Sequence, residues 1–203
     1  MLTKLTLMRH GETPWNVAGI WQGIAPVPLS DRGIQQANET SHYLRAAGIT
    51  RIVSSNLLRT RQTADIVATT LKLPVDIDSR WREVDLGRWQ GLTNPQIRAW
   101  DTEAYESFEA APYLERGFPD GENQRQHIAR TAEAMASAIN TYPGEHILVV
   151  THGGSIRCAV YHITGEALHL SGNCSLTRLH YAHQSNSWQV KGVAEDAERI
   201  KWG

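Results

Sequence analysis

Arg9-His10-Gly11-Glu12 stands directly behind the apolar run Leu5-Thr6-Leu7-Met8, and His152-Gly153-Gly154 stands behind Ile147-Leu148-Val149-Val150-Thr151. Short apolar runs of this kind read as buried strands, and in an open α/β sheet the residues just past the strands' carboxyl ends line the ligand crevice. Arg59 lies one turn into the helix expected behind another such run, Ile49 to Ser54. Two guanidiniums suit a phosphoryl group, because each planar fork donates paired N–H bonds to its oxygens. A neutral histidine among them can attack phosphorus through one ring nitrogen while a hydrogen bond to the other fixes the tautomer. Positioning and charge stabilisation carry most of such a transfer, and each lost oxyanion donor can cost about 3 kcal/mol. The leaving alkoxide needs a proton. Glu83, in Trp81-Arg82-Glu83-Val84-Asp85-Leu86-Gly87, is the acid best placed to give it, with Asp85 as its competitor and Glu12 read as structural.

The elements that must carry these residues alternate. A strand at 4–8 leads into a loop, Thr13 to Ser30, and then Ile34, Ala37, Ser41 and Leu44 recur at helical spacing until Gly48 stops them. Behind Ile49 to Ser54, Leu57, Ala64, Val67 and Leu71 mark a second helix with Ser55 or Asn56 as its cap, and Pro74 to Ile77 a short strand. The stretch from Gly91 to Glu122 breaks the rhythm: it reads as irregular, yet carries Trp100, Tyr105, Phe108, Tyr113 and Phe118, and is a candidate lid or specificity cap. Helical spacing resumes at Ile128, Ala132, Met135 and Ile139; a helix from Ser155 to Ile163 follows the strand ending at Thr151. Ser175 to Tyr181 and Ser187 to Val193 alternate like an antiparallel pair. The expected fold is α/β, a three-layer sandwich with a mainly parallel central sheet flanked by helices, antiparallel edge strands and a small irregular cap. Residues 1–203 are expected to be one domain, with the cap insertion at about 91–122.

A formal net charge of −1 gives no support to a nucleic-acid or anionic-membrane surface, so any basicity must be local. No run approaches the ~18–20 apolar residues of a membrane span, nothing at the amino terminus resembles a signal peptide, and Cys158 and Cys174 form no CxxC pattern. A cytoplasmic location with reduced thiols is expected. His42, His127, His146, His162, His169, His180 and His183 carry no pattern and are read as bystanders.

These residues resemble a known family. Arg9-His10-Gly11-Glu12-Thr13 with Asn16 and Gln22-Gly23, Pro28-Leu29-Ser30 with Gly33, and Ser55 through Ala64 are similar to successive signatures of the histidine phosphatase superfamily, phosphoglycerate mutase-like branch. Glu83 with Gly87 and Gly91, Pro119-Asp120-Gly121-Glu122, and Thr151-His152-Gly153-Gly154 with Arg157 continue the order, and Asn173-Cys174-Ser175 extends it weakly. The resemblance implies that His10 becomes a phosphohistidine, that Arg9, Arg59 and His152 complete the phosphate pocket, and that Glu83 is the proton donor. It also implies that Asn16, Gln22, Gly23 and the backbone N–H of Gly153 assist in phosphate or substrate binding. It implies no metal and no cofactor. The partner expected is a small phosphorylated metabolite, with no nucleic acid and no membrane; a homodimer is left open.

The core motifs do not separate hydrolases from mutases. Cofactor-dependent mutases of this branch carry a paired-arginine segment in the cap, whereas between Gly91 and Gly121 this chain has only Arg98 and Arg116, far apart. The compact run from Glu83 to Gly91 also looks more like the phosphatase members. A phosphatase of small phosphomonoesters is therefore expected, with phosphoserine, a phosphorylated sugar or sugar acid and α-ribazole phosphate all open. Arg98 or Arg116 could recognise a carboxylate, and the cap aromatics could equally pack the cap or touch substrate. A mutase and a catalytically silent phospho-ligand-binding module remain the alternatives.

Overall fold

The computed structural model describes residues 1–168 and 172–202; His169, named above, lies outside the described residues. Six strands form one sheet in the order β3-β2-β4-β1-β5-β6. They are β1 (Leu2–Arg9), β2 (Arg51–Ser54), β3 (Val75–Ile77), β4 (His146–Thr151), β5 (Leu176–Ala182) and β6 (Ser187–Glu195). The first four run parallel; β5 lies antiparallel to β1, and β6 to β5.

The alternation of side chains along a strand sends residues to two cores. Leu5, Leu7, Ile147, Val149 and Leu179 meet Met135 and Ile139 of helix α6 (Gln124–Thr141) and Ile156 of helix α7 (Gly153–Thr164). Met8, Ile52, Leu148, Val150 and Leu176 face Ala37 and Leu44 of helix α2 (Asp31–Leu44) and Ala64 and Val67 of helix α3 (Leu58–Leu71). Every residue of β4 is buried, as expected of a strand covered on both faces. The mainly parallel, helix-flanked architecture is the one the sequence implies.

Four local expectations are corrected. The Thr13–Ser30 loop begins with a one-turn helix α1 (Pro14–Val17), because Thr13 and Asn16 cap one another through side chain and backbone. Neither Ser55 nor Asn56 caps α3; Leu57 holds that position without a side-chain bond. The 91–122 stretch is not irregular throughout. It contains helix α4 (Asn94–Trp100) and helix α5 (Thr102–Ala110), the first begun by Thr93 donating to the Gln96 carboxamide and by Pro95, which costs nothing where no N–H bond is needed. Finally, the buried stripe of α6 runs through His127, Thr131, Ala134, Met135, Ala138 and Ile139, so it starts one residue before Ile128.

Two glycines let the 91–122 stretch dock. A Cβ on Gly87 would collide with the backbone at Pro119 and Asp120, and one on Gly121 with the carbonyl of Asp85, so the two loops lie backbone to backbone. Trp89, fully buried, anchors the outer side against Trp21, Tyr105, Phe108 and Phe118. The tail does not fold over the crevice: Ala197 and Ile200 join the α2–α3 core, and Trp202 packs near His146 at the opposite end of β4.

Candidate active site

Strands β1, β2 and β4 are parallel neighbours, so their carboxyl ends deliver His10, Ser55 and His152 to one edge of the sheet. The His10 and His152 rings lie 5.3 Å apart, tilted by 59°. His10 has only one tautomer compatible with its partners. Its Nδ1 lies 2.7 Å from the Gly11 carbonyl, which can only accept, while its Nε2 receives the Arg59 Nε–H at 3.2 Å. The ring is neutral, with its lone pair on Nε2. Burial, with Arg59 and Arg9 beside it, pulls His10 well below the ordinary histidine range. The same burial, with Arg59 and His10 nearby, acts on His152.

Arg59 is buried and pinned by two carbonyls, donating to Gly23 at 2.7 Å and to Ala25 at 3.0 Å. Burial draws its guanidinium down to about 10, with Glu83 pulling the other way and Arg9 adding to the fall. It is still cationic at neutral pH. Gly23 thus serves the site through its carbonyl, an arrangement the motif alone does not disclose. Arg9, at the end of β1, is tied by its own backbone: its N–H donates to Ser175 and its carbonyl accepts from Cys174. Asn173 adds a bond to the His10 carbonyl at 3.0 Å and reaches the Asn16 oxygen at 3.3 Å. Because that oxygen also accepts from Thr13, the Asn16 amide nitrogen is left for the crevice.

Across the crevice, the Glu83 carboxylate accepts from the N–H groups of Val84 at 2.9 Å and Gly154 at 3.0 Å. Gly154 has to be glycine for this, since a Cβ there would overlap Glu83 Oε1. Asp85, the competing acid, instead accepts the Gly87 N–H and does not line the cleft. Glu12 accepts the Ser30 hydroxyl at the start of α2.

The cleft holds about 420 Å³ and is lined by Arg9, His10, Asn16, Gln22, Gly23, Arg59, Glu83, Gly153 and Arg157, with Trp21, Phe108, Tyr113, Arg116, Phe118, Gln124 and His127 further out. Arg9 Nε, Gln22 Oε1, His152 Nδ1 and Arg157 Nε are buried without a hydrogen-bond partner. Native interiors rarely leave such atoms unpaired, and a bound anion satisfies the donors among them. Gly153 and Gly154, the first residues of α7, line the same cleft, and a helix's amino end favours an anion.

The structure divides the other candidates. Phe108, Tyr113 and Phe118 face the cleft, Tyr105 packs on Trp89, and Trp100 is exposed. Arg116 lines the cleft, over the Phe108 ring and bonded to the Ala111 and Glu109 carbonyls, whereas Arg98 lies exposed outside it. Sequence reasoning missed two residues. Ser55 pairs with His152 Nε2 at 2.9 Å instead of capping α3. His127, read as a bystander, is buried in the cleft wall; its place on the apolar stripe of α6 was the available signal. Among the described residues no group of three or more His, Cys, Asp or Glu side chains is arranged to hold a metal ion, and no helix is long and apolar enough to cross a membrane.

An α/β sheet with this pair of histidines, ringed by arginines at its strand ends, defines the class: the chain belongs to the histidine phosphatase superfamily (branch 1), whose model matches residues 5–195. Similar proteins carry more particular names. A probable phosphoglycerate mutase GpmB from Salmonella arizonae is 36% identical over 208 residues, covering 97% of this chain and 93% of that one. A mycobacterial glucosyl-3-phosphoglycerate phosphatase solved with VO3 superposes with a TM-score of 0.85 at 29% identity, over 95% of this chain and 99% of that one. A phosphoserine phosphatase from Entamoeba histolytica solved with phosphoserine gives 0.82 at 26% identity, over 95% and 97%.

Proposed function

We propose that this chain is a phosphatase that hydrolyses small phosphomonoesters, without a metal or other cofactor, through a phosphohistidine on His10. The observation that carries the reading is the tautomer of His10: its Gly11 bond keeps the proton on Nδ1, so the Nε2 lone pair is unprotonated, held by the Arg59 Nε–H until that N–H turns to a phosphoryl oxygen. The lone pair attacks phosphorus while the ester P–O bond breaks, and the leaving alkoxide takes the proton of the Glu83 carboxyl. Arg9, Arg59 and the Asn16 amide hold the phosphoryl oxygens, and so does the Gly153 N–H at the head of α7. When the Ser55 hydroxyl donates to His152 Nε2, the orphan Nδ1–H of His152 donates to the transferring group. Water then attacks the phosphohistidine as the Glu83 carboxylate takes its proton; the P–N bond breaks and inorganic phosphate leaves.

Residues 91–122 act in this reading as the cap of a single domain, placing Phe108, Tyr113 and Phe118 around the organic part of the ester. Gln22 lies with them at the cleft wall. The partner is a small phosphorylated metabolite, and two free, buried thiols suit a reducing cytoplasmic setting. The phosphatase names of the structural neighbours support hydrolysis, as does the lack of a second cap arginine beside Arg116 in the cleft wall. A mutase is the second reading, favoured by the name of the 36%-identical relative.

Rapid quenching with a labelled phosphomonoester tests the first step. Acid-labile, base-stable phosphate on His10 is expected, and label that survives in His10→Ala overturns the assignment. Assaying 3-phosphoglycerate with 2,3-bisphosphoglycerate decides the subclass: phosphate release outpacing isomerisation is the phosphatase outcome, and the reverse order is the mutase outcome.

A further inference from the structure

His127 is a buried titratable side chain in the cleft wall to which the proposed steps give no task. Its partners leave little freedom of interpretation. The Ser155 hydroxyl lies 2.8 Å from the Arg82 carbonyl and 3.3 Å from that of Trp81, both of which can only accept, so Ser155 spends its proton on this backbone, with Arg82 the nearer partner. His127 Nε2, 3.1 Å from the same hydroxyl oxygen, must therefore be the donor. The chain runs from α6 through α7 to the carbonyl of the residue immediately before Glu83. One helical turn further along α6, Arg130 donates to the carbonyls of Arg80, Arg82 and Glu83 at 2.7 to 3.0 Å. Helix α6 thus grips the backbone of the acid at two successive turns.

The ring also bounds the carboxylate from the side. A Cβ built on Gly154 would overlap Glu83 Oε1 and lie 3.1 Å from His127 Cε1, so carboxylate and imidazole both crowd the same point. Burial first, and then Arg130, hold His127 down to about 3, so the ring stays neutral and brings no cation to the acid's flank. A leucine would fill the same stripe of α6 but could not donate to Ser155, whose hydroxyl would lose the bond that holds it toward the Arg82 carbonyl rather than that of Trp81.

We propose that His127 is a positioning residue for Glu83, setting the carboxyl group for proton transfer through Ser155 and the Arg82 carbonyl. The inference rests on the phosphatase reading for its kinetic consequence, though not for its structural one. Acid assistance matters most when the leaving group is poor, and a positioned acid contributes about 10²–10⁴-fold.

The test compares His127→Leu with His127→Gln, whose amide can reach the position of Nε2. Values of kcat/KM are measured with p-nitrophenyl phosphate and with glycerol phosphate. His127→Leu is expected to slow the alkyl ester about tenfold more than the aryl ester, and His127→Gln to recover most of the difference. The amide signals of Val84 and Gly154, both donated to the Glu83 carboxylate, give a readout that needs no turnover. They should shift and exchange faster in His127→Leu and return in His127→Gln. Ser155→Ala cuts the same chain from its other end and carries the test should the leucine variant not fold. Equal slowing of both esters with unmoved amides, or a glutamine variant no better than leucine, overturns the proposal. Loss of the phosphatase reading is a separate result: no phosphohistidine in the parent protein, with the amide response to His127 intact.

Discussion

Gly154→Ala isolates the seat of the acid. The added methyl, whose place the helical backbone fixes, overlaps Glu83 Oε1 and lies a tight 3.1 Å from His127 Cε1. The carboxylate must retreat by about 1 Å, and a misplacement of that size can cost about 10²-fold in rate. In free energy that is about 2.7 kcal/mol of transition-state stabilisation. The backbone has no quarrel with the change, because residue 154 lies in the first turn of α7 without a positive φ. Alanine is the better helix former, by up to about 1 kcal/mol in helix interiors. The expected outcome is therefore a protein of parental stability in urea with kcat/KM for an alkyl phosphate down about 100-fold. A variant within about fivefold of the parent would refute the reasoning, because it would mean that Glu83 does its work from another place.

Acid should unfold this protein early. Burial holds His10 and His152 neutral, His127 down to about 3 and His146 down to about 4, while the unfolded chain takes up these protons near pH ~6.5. Each folded-state value is depressed, so the stability of the neutral form is present above ~6.5 and is lost as pH falls from there towards the folded values. His127 and His146 each account for a loss of about 2 kcal/mol by about pH 5, read from urea unfolding; a flat profile between about pH 7 and pH 5 contradicts the assignment. Arg130 and Glu122 form a little-exposed pair at 2.7 Å, and Arg130 also serves three carbonyls. Arg130→Met strands all of them and should cost about 3–5 kcal/mol of stability; a loss under about 1 kcal/mol by urea titration would contradict this.

The strand-end chemistry was legible because two simple signals coincide. Apolar runs of period two or fully buried character fix β1, β2 and β4, and the residue after such a run is forced to the crevice edge. His10 and His152 follow from that, and Arg59 from the helix expected behind β2. The helices at 94–100 and 102–110 were hidden by Pro95, Pro112 and the glycines around them, although Thr93 three residues before Gln96 is a capping signal written in the sequence. His127 was hidden by a register error of one residue on α6: a histidine counted off the stripe looks solvated, and the same histidine counted on it needs a partner. Ser55 was assigned to the nearest backbone amide, when a side chain 97 positions away had the better geometry. Local rules rank local partners first, and tertiary partners can only be ranked once the sheet order is known.

Strand β1 lies between β4 and β5, and Arg9 and His10 are tied to residues 173–175 by their own backbones. The ends of this tie lie 163 positions apart in the chain, so His10 is seated only by a late, long-range closure of the sheet and not by its local sequence.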